Sequence, residues 1–161
     1  MIRRDSTNGN DAMHQSDDAI TLLTADHRQV RVLFQQYADT PDPYLKQIIA
    51  EHIFAELTLH MLLEETVFYP AVAEQADEEG KRLVSEALQD HQQLRDLIAP
   101  LQDVAEDEAF EAGFHALRDH MEQHVEDEET TIFPQAAQVL AAHLEEITIL
   151  LQERKKQILT S

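Results

Sequence analysis

The stretch His60-Met61-Leu62-Leu63-Glu64-Glu65-Thr66, followed by Pro70, decides the reading of this chain. It returns 64 positions later as His124-Val125-Glu126-Asp127-Glu128-Glu129-Thr130, followed by Pro134. An Asp-His pair precedes each copy, Asp26-His27 and Asp90-His91, and the interval to the next patterned histidine is 33 positions in both. The register is gapless: of the 48 pairs formed by residues 26–73 and their images, twelve are identical, including all four patterned histidines and both pairs of glutamates. A histidine and a carboxylate four apart project from one helix face, one turn apart. The duplication therefore predicts two helical hairpins, each with one helix bearing a lone histidine and one bearing His-x-x-x-Glu.

Outward from the motif, the apolar positions recur at intervals of three and four. A first helix is expected from Ser16–Asp18, which supply N-cap residues, through Ile20, Leu23, His27, Val30, Phe34 and Tyr37. Thr40-Pro41-Asp42-Pro43 breaks it, and Asp42 followed by Pro43 opens a second helix that Pro70 kinks or ends. Acidic Asp77–Gly80 is read as the connection between copies. A third helix carries Val84, Leu88, His91 and Leu94 and closes around Pro100; a fourth begins near Asp107 and carries Phe114, Leu117, Met121, His124 and Glu128. A last segment with Leu144, Ile147, Leu151 and Ile158 on one side ends near Arg154, Lys155 and Lys156, cations suited to a helix C-terminus. Short links between long helices imply antiparallel neighbours. The expected fold is all-α: an up-down-up-down four-helix bundle over residues 18–140, with an added C-terminal helix over 141–161 that packs on the bundle or a partner. Residues 1–17, with Ser6-Thr7-Asn8-Gly9-Asn10, read as a disordered tail.

Composition supports this class. Of 161 residues only 3 are glycine and 5 proline, which favours helix throughout. The absence of cysteine rules out disulfides, thiolate metal sites and a thiol nucleophile; the cytoplasm is the plainest compartment. A net charge of −20 argues against nucleic acid and anionic membrane surfaces as partners. No apolar run approaches the ~20 residues that span a bilayer.

A lone histidine on an apolar face is more often a hydrogen-bonded core residue than a ligand. Four inward histidines accompanied by two inward glutamates are a different matter, because leaving six such groups unpaired in a core would cost several kcal/mol. Metal ligation satisfies them together. Imidazole and carboxylate without thiolate suit iron, manganese or zinc. Two carboxylates shared among four histidines favour a dinuclear centre: His27 and His60 on one ion, His91 and His124 on the other, Glu64 and Glu128 bridging. With an oxo or hydroxo bridge, each ion reaches five ligands and keeps a position for O₂, peroxide, NO or water. Two iron ions are the expected cofactor, since open nitrogen–oxygen sites are useful chiefly when the metal changes redox state. The ferritin-type alternative needs Glu-x-x-His, which the chain lacks.

The Asp-His, His-x-x-x-Glu-Glu…Pro series, twice over, resembles the hemerythrin family and its HHE cation-binding domain. The resemblance spans about residues 18–140. It implies a four-helix bundle with a non-haem diiron centre and carries the ligand role onto His27, His60, Glu64, His91, His124 and Glu128. Oxygen-carrying members have a second histidine four after the third-helix ligand, where this chain has Arg95, and His-x-x-x-x-Asp on the fourth helix, where it has His-x-x-x-Glu. These departures point away from reversible O₂ carriage and toward reaction with peroxide or NO.

Other residues enter as expectations. Glu56 and His120, equivalent in the two copies, each lie one turn before a ligand histidine and are candidates for an extra ligand or an outer contact. Asp26, Asp90, Glu65 and Glu129 are offset from the ligands along their helices and are read as solvent-facing. Tyr37, Phe34 and Tyr69 are read as core aromatics, and His52, His115 and His143 as surface or rim. The functional expectation is a diiron protein handling small oxidants; a sensor or iron-binding module, with a homodimer formed through the last helix, is the alternative.

Overall fold

The computed structural model describes residues 17–105 and 107–161; the expected N-terminal tail lies, but for Asp17, outside the described residues. Four long helices form: α1 (Ala19–Asp39), α2 (Pro43–Leu63), α4 (Glu78–Ile98) and α5 (Glu108–Asp127). Each is opened by an aspartate. Asp18, Asp42, Asp77 and Asp107 accept hydrogen bonds from the backbone N–H groups of Thr21, Tyr44, Gly80 and Phe110, satisfying donors that a helix start leaves unpaired. Pro43 follows Asp42 at the first helical position, as expected. Asp77 differs from the sequence reading: it caps α4, so Asp77–Gly80 belongs largely to a helix and not to a loop. Gly80 is required there, since a Cβ on it would lie 2.5 Å from that of Ala76.

The two proline positions behave alike. Neither Pro70 nor Pro134 ends the helical path. After α2 the chain winds through a π-helical turn, Glu64–Phe68, into α3 (Tyr69–Gln75); after α5 it winds through a second, Glu128–Ile132, into α6 (Phe133–Val139). Each proline falls in the first turn of the short helix that follows. A π turn inserts one extra residue per turn and is found chiefly at functional sites. Here it begins at the motif glutamate in both copies.

After Leu140–His143 comes the added helix, α7 (Leu144–Thr160). It packs on its own bundle, burying Ile147, Thr148 and Leu151 against α1, α2 and the first π turn. Thr148 Oγ1 accepts a 2.8 Å bond from the N–H of Ala19 and so ties α7 to the start of α1.

Consecutive long helices pack as neighbours, α1 with α2 and α4 with α5, in keeping with the expected bundle. The core falls into two apolar blocks. One holds Val30, Phe34, Leu57, Leu94, Phe114 and Met121; the other holds Leu23, Leu63, Phe68, Val84, Phe133 and Leu140. Between them lies one polar layer: His27, His60, Glu64, His91, His124 and Glu128, none more than 5 % exposed.

Candidate metal centre

α1 and α4 each present one histidine to this layer, and α2 and α5 each present a histidine whose glutamate opens the π turn. The imidazole Nε2 atoms meet in pairs, His27 with His60 at 3.1 Å and His91 with His124 at 3.2 Å. The carboxylates lie between the pairs. Glu64 Oε1 is 3.4 Å from His60 Nε2 and 3.1 Å from His91 Nε2; Glu128 Oε1 is 3.1 Å from His27 Nε2 and 3.5 Å from His124 Nε2. Ligand atoms of His27, His60, Glu64 and Glu128 fall within 4.8 Å of one another, as do those of Glu64, His91 and His124. All six residues read from the motif are thus brought together.

The other nitrogen of each ring is tied outward to a carboxylate. His27 Nδ1 lies 2.7 Å from Glu129, His60 Nδ1 3.0 Å from Asp26, His91 Nδ1 2.6 Å from Glu65, and His124 Nδ1 3.2 Å from Asp90. The sequence reading has these four acids facing solvent; the structure instead holds each against a ring nitrogen, with 20–31% of its side chain exposed. A residue adjacent to a ligand along its own helix faces away from that ligand but toward the neighbouring helix, where the next ligand waits. Asp26, beside His27, holds His60, and Glu65, beside Glu64, holds His91. The signal was present: all four are identical across the duplication, as a pure solvated face need not be.

These ties decide the chemistry. An imidazole that donates from Nδ1 to a carboxylate presents its Nε2 as a lone pair. Four such lone pairs and two carboxylates converge in a dry layer, and Glu64 Oε2 has no hydrogen-bond partner. Such a donor set fits metal ions. Without metal the layer collects protons. At His60, burial opposes the imidazolium, but the charge of Glu64 and the bonds to Asp26 and Glu64 outweigh it, and its pKa lies well above the usual value. At His124, burial is likewise outweighed, by Asp90 and the two inner glutamates. Glu64 is held well below the ordinary carboxylate range: burial opposes this, but His60, Glu128 and His91 prevail. Burial and the neighbouring Glu64 push Glu128 upward, as expected for two carboxyls sharing one site.

Arginines back two of the outer acids. Arg95 Nη2 is 2.8 Å from Glu65 Oε1; against burial, Arg95 and His91 lower the pKa of Glu65. Arg31, its counterpart in the first copy, bonds Glu122 at 3.0 Å and approaches Glu129 at 4.0 Å. The position that carries a fifth histidine in oxygen carriers therefore turns outward here.

Tyr69 is a fifth residue whose place differs from the sequence reading. Its hydroxyl reaches the layer, 2.5 Å from Glu128 Oε2 and 3.3 Å from both Glu64 Oε1 and His91 Nε2. Burial and the two glutamates push its pKa well up, so it stays a phenol. Tyr37 instead bonds Glu111. Glu56 and His120 fall outside both ligand groups. Glu56 pairs with His52 at 3.4 Å on the surface. His120 is half-buried and acts electrostatically on Asp90.

The layer borders a chamber of about 10 Å³ lined by the four histidines together with Val30, Leu57, Met61, Leu94, Met121 and Val125. That is roughly the space one water needs.

Comparison with known proteins agrees with this geometry. The model of the hemerythrin HHE cation binding domain matches residues 18–136. The chain belongs to the hemerythrin HHE family, and its clustered histidines and glutamates are a metal-binding set. It is similar to the crystal structure of an HHE cation binding domain-containing protein from Mycobacterium kansasii, with a TM-score of 0.74, 22% identity, and coverage of 87% of this chain and 86% of that one. It is also 28% identical over 112 residues to a DNA nickase of Nostoc sp., a match covering 70% of this chain and 31% of that protein. The chain thus spans less than a third of that relative's length.

Proposed function

We propose that this domain holds two iron ions and acts on a small oxidant: peroxide, NO or O₂. The observation that carries the proposal is the convergence of four imidazole lone pairs and two carboxylates in one buried layer, each imidazole fixed from behind by an acid. His27 and His60 would hold one ion and His91 and His124 the other, with Glu64 and Glu128 shared. Iron held there would supply redox chemistry, giving electrons to one small oxidant molecule and, where peroxide is disproportionated to water and O₂, recovering them from a second. The protein's own part is to orient the four rings, exclude bulk water and limit access. The adjoining chamber is small, in keeping with a ligand of one or two heavy atoms.

A sensing role is favoured by one contact. α7 packs against the first π turn, so a displacement of Glu64 would pass directly to a helix that still exposes Ile149, Leu150 and Leu159. Those residues would supply the surface for a homodimer. The DNA-directed activity named for the Nostoc relative belongs to a much longer chain, and the charge of −20 disfavours a polyanion here. No helix among the described residues is long and apolar enough to cross a membrane.

The test is iron per chain and the optical spectrum before and after stoichiometric peroxide. About two irons, with bands that bleach and recover while O₂ evolves, establishes peroxide turnover and a role against oxidative stress. Two irons with an inert spectrum moves the reading to a sensor. A chain that takes up no iron refutes it.

A further inference from the structure

The two halves of the layer are not equivalent, and one residue breaks their symmetry. Tyr69 and Phe133 hold the same place in the two copies. Phe133 stacks flat on the His27 ring, centroids 5.6 Å apart and planes at 2°, and brings no polar atom. Tyr69 brings a hydroxyl that donates to Glu128 Oε2 and lies within 3.3 Å of Glu64 Oε1 and His91 Nε2.

The consequence falls on one ion position. Between His27 and His60 a cation meets four residues whose donor atoms are already within 4.8 Å of one another; between His91 and His124 the same criterion gathers three. Glu128 is the residue missing from the second group. Its Oε2 is held by Tyr69. A cation entering between His91 and His124 therefore meets the phenol at hydrogen-bond distance from two of its donors and from the carboxyl oxygen it needs. At the first position the phenol reaches the shared glutamates but neither imidazole, and the flanking aromatic there is Phe133.

We infer that the two ions load in order, the His27–His60 position first and the His91–His124 position second, with Tyr69 as the positioning residue that separates the steps. The inference rests on the two-ion reading above. Breaking a hydrogen bond to a carboxyl group changes an affinity by about fivefold or more, and the missing ready donor adds to this.

The test is a calorimetric titration of the metal-free full chain with ferrous iron alone, without oxygen. The wild type is expected to show two steps of one equivalent each, the second weaker by about tenfold. His60→Gln is expected to lose the tighter step; His124→Gln is expected to keep it and lose the weaker. Tyr69→Phe, a change for which Phe133 shows the room, is expected to move the second step by threefold or more and the first by less. Because this variant keeps every histidine and glutamate, it serves even where a ligand variant fails to fold. Two equivalents of equal affinity, loss of the tighter step in a folded His124→Gln chain, or a Tyr69→Phe change confined to the first step overturns the order. A wild type that binds no ion overturns the two-ion reading itself.

Discussion

Replacing Glu65 by glutamine tests whether the outer acids hold the site together. Glu65 Oε2 accepts from His91 Nδ1 at 2.6 Å, and Oε1 accepts from Arg95 at 2.8 Å. Glutamine keeps the shape and an oxygen for the imidazole N–H but removes the charge. A hydrogen bond to a charged partner contributes about 1.5–3 kcal/mol against about 1 for a neutral one, so the loss is about 1.4 kcal/mol. The Arg95 contact adds little, since its side chain is 35% exposed and such pairs are worth below about 1 kcal/mol. About 1.4 kcal/mol is tenfold in affinity, the lower end of what outer partners of metal-bound histidines contribute. Metal affinity, read by competition with a chelator of known strength, is expected to fall about tenfold. At saturating metal, the stabilisation gained on loading should shrink by about 3–6 °C in Tm. Glu78→Gln, at a side chain 96% exposed, is the charge-matched control. Equal effects from the two variants, or a folded Glu65→Gln chain with unchanged affinity, would refute the argument.

Two further outcomes follow from the same structure. His60 and His124 have raised pKa values in the metal-free protein, so the stability they confer is complete below about pH 6.5 and is lost as pH rises through those raised values. Metal needs the neutral rings, so the Tm gain on adding metal should widen between pH 6 and 8; a constant or shrinking gain in thermal melts would contradict this. Gly80→Ala, whose Cβ would meet that of Ala76 at 2.5 Å, should cost about 1–2 kcal/mol in denaturant unfolding, whereas Gly113→Ala, which meets only the mobile end of Leu101 at 2.9 Å, should be neutral or gain up to about 1 kcal/mol from helix propensity. Equal costs would show that backbone closeness is not what fixes Gly80.

The helices and the six central residues were legible because both rest on periodicity within one helix. Apolar spacing marks the buried face, and His-x-x-x-Glu marks two groups on that face; neither needs knowledge of a neighbour. Asp26, Asp90, Glu65 and Glu129 failed the same test because their partners lie on other helices. A helical wheel places each of them away from its own ligand and cannot show that the adjacent helix brings another ligand to that side. The π turns were illegible for a related reason. Pro70 and Pro134 announce an irregularity, but only tertiary packing decides whether it becomes a break or one extra residue in a turn. Tyr69 was passed over because an aromatic at helical spacing is usually core, and it is core: it is 1% exposed. Its hydroxyl, not its ring, is what the layer uses.

The outer acids and arginines together give the layer a charge that states its own requirement. Two inner glutamates and four outer carboxylates face it; Arg95 offsets Glu65, while Arg31 is bonded to Glu122 and only approaches Glu129, at 4.0 Å. A surplus of negative charge remains around the four imidazoles buried between two apolar blocks. For the fully buried Glu64 and Glu128 uncompensated charge is strongly unfavourable, and few complements are available. Protons can neutralise the set, which is what the raised values at His60, His124 and Glu128 express. The two divalent cations proposed above would do so with each imidazole left neutral and each lone pair used. A single divalent ion would leave half of the duplicated acids unbalanced, and with them half of the histidines they orient. The duplication thus matters beyond geometry: it copies acid, arginine and ligand together, so that on the two-ion proposal each half brings the donors of one ion and the acids that orient them.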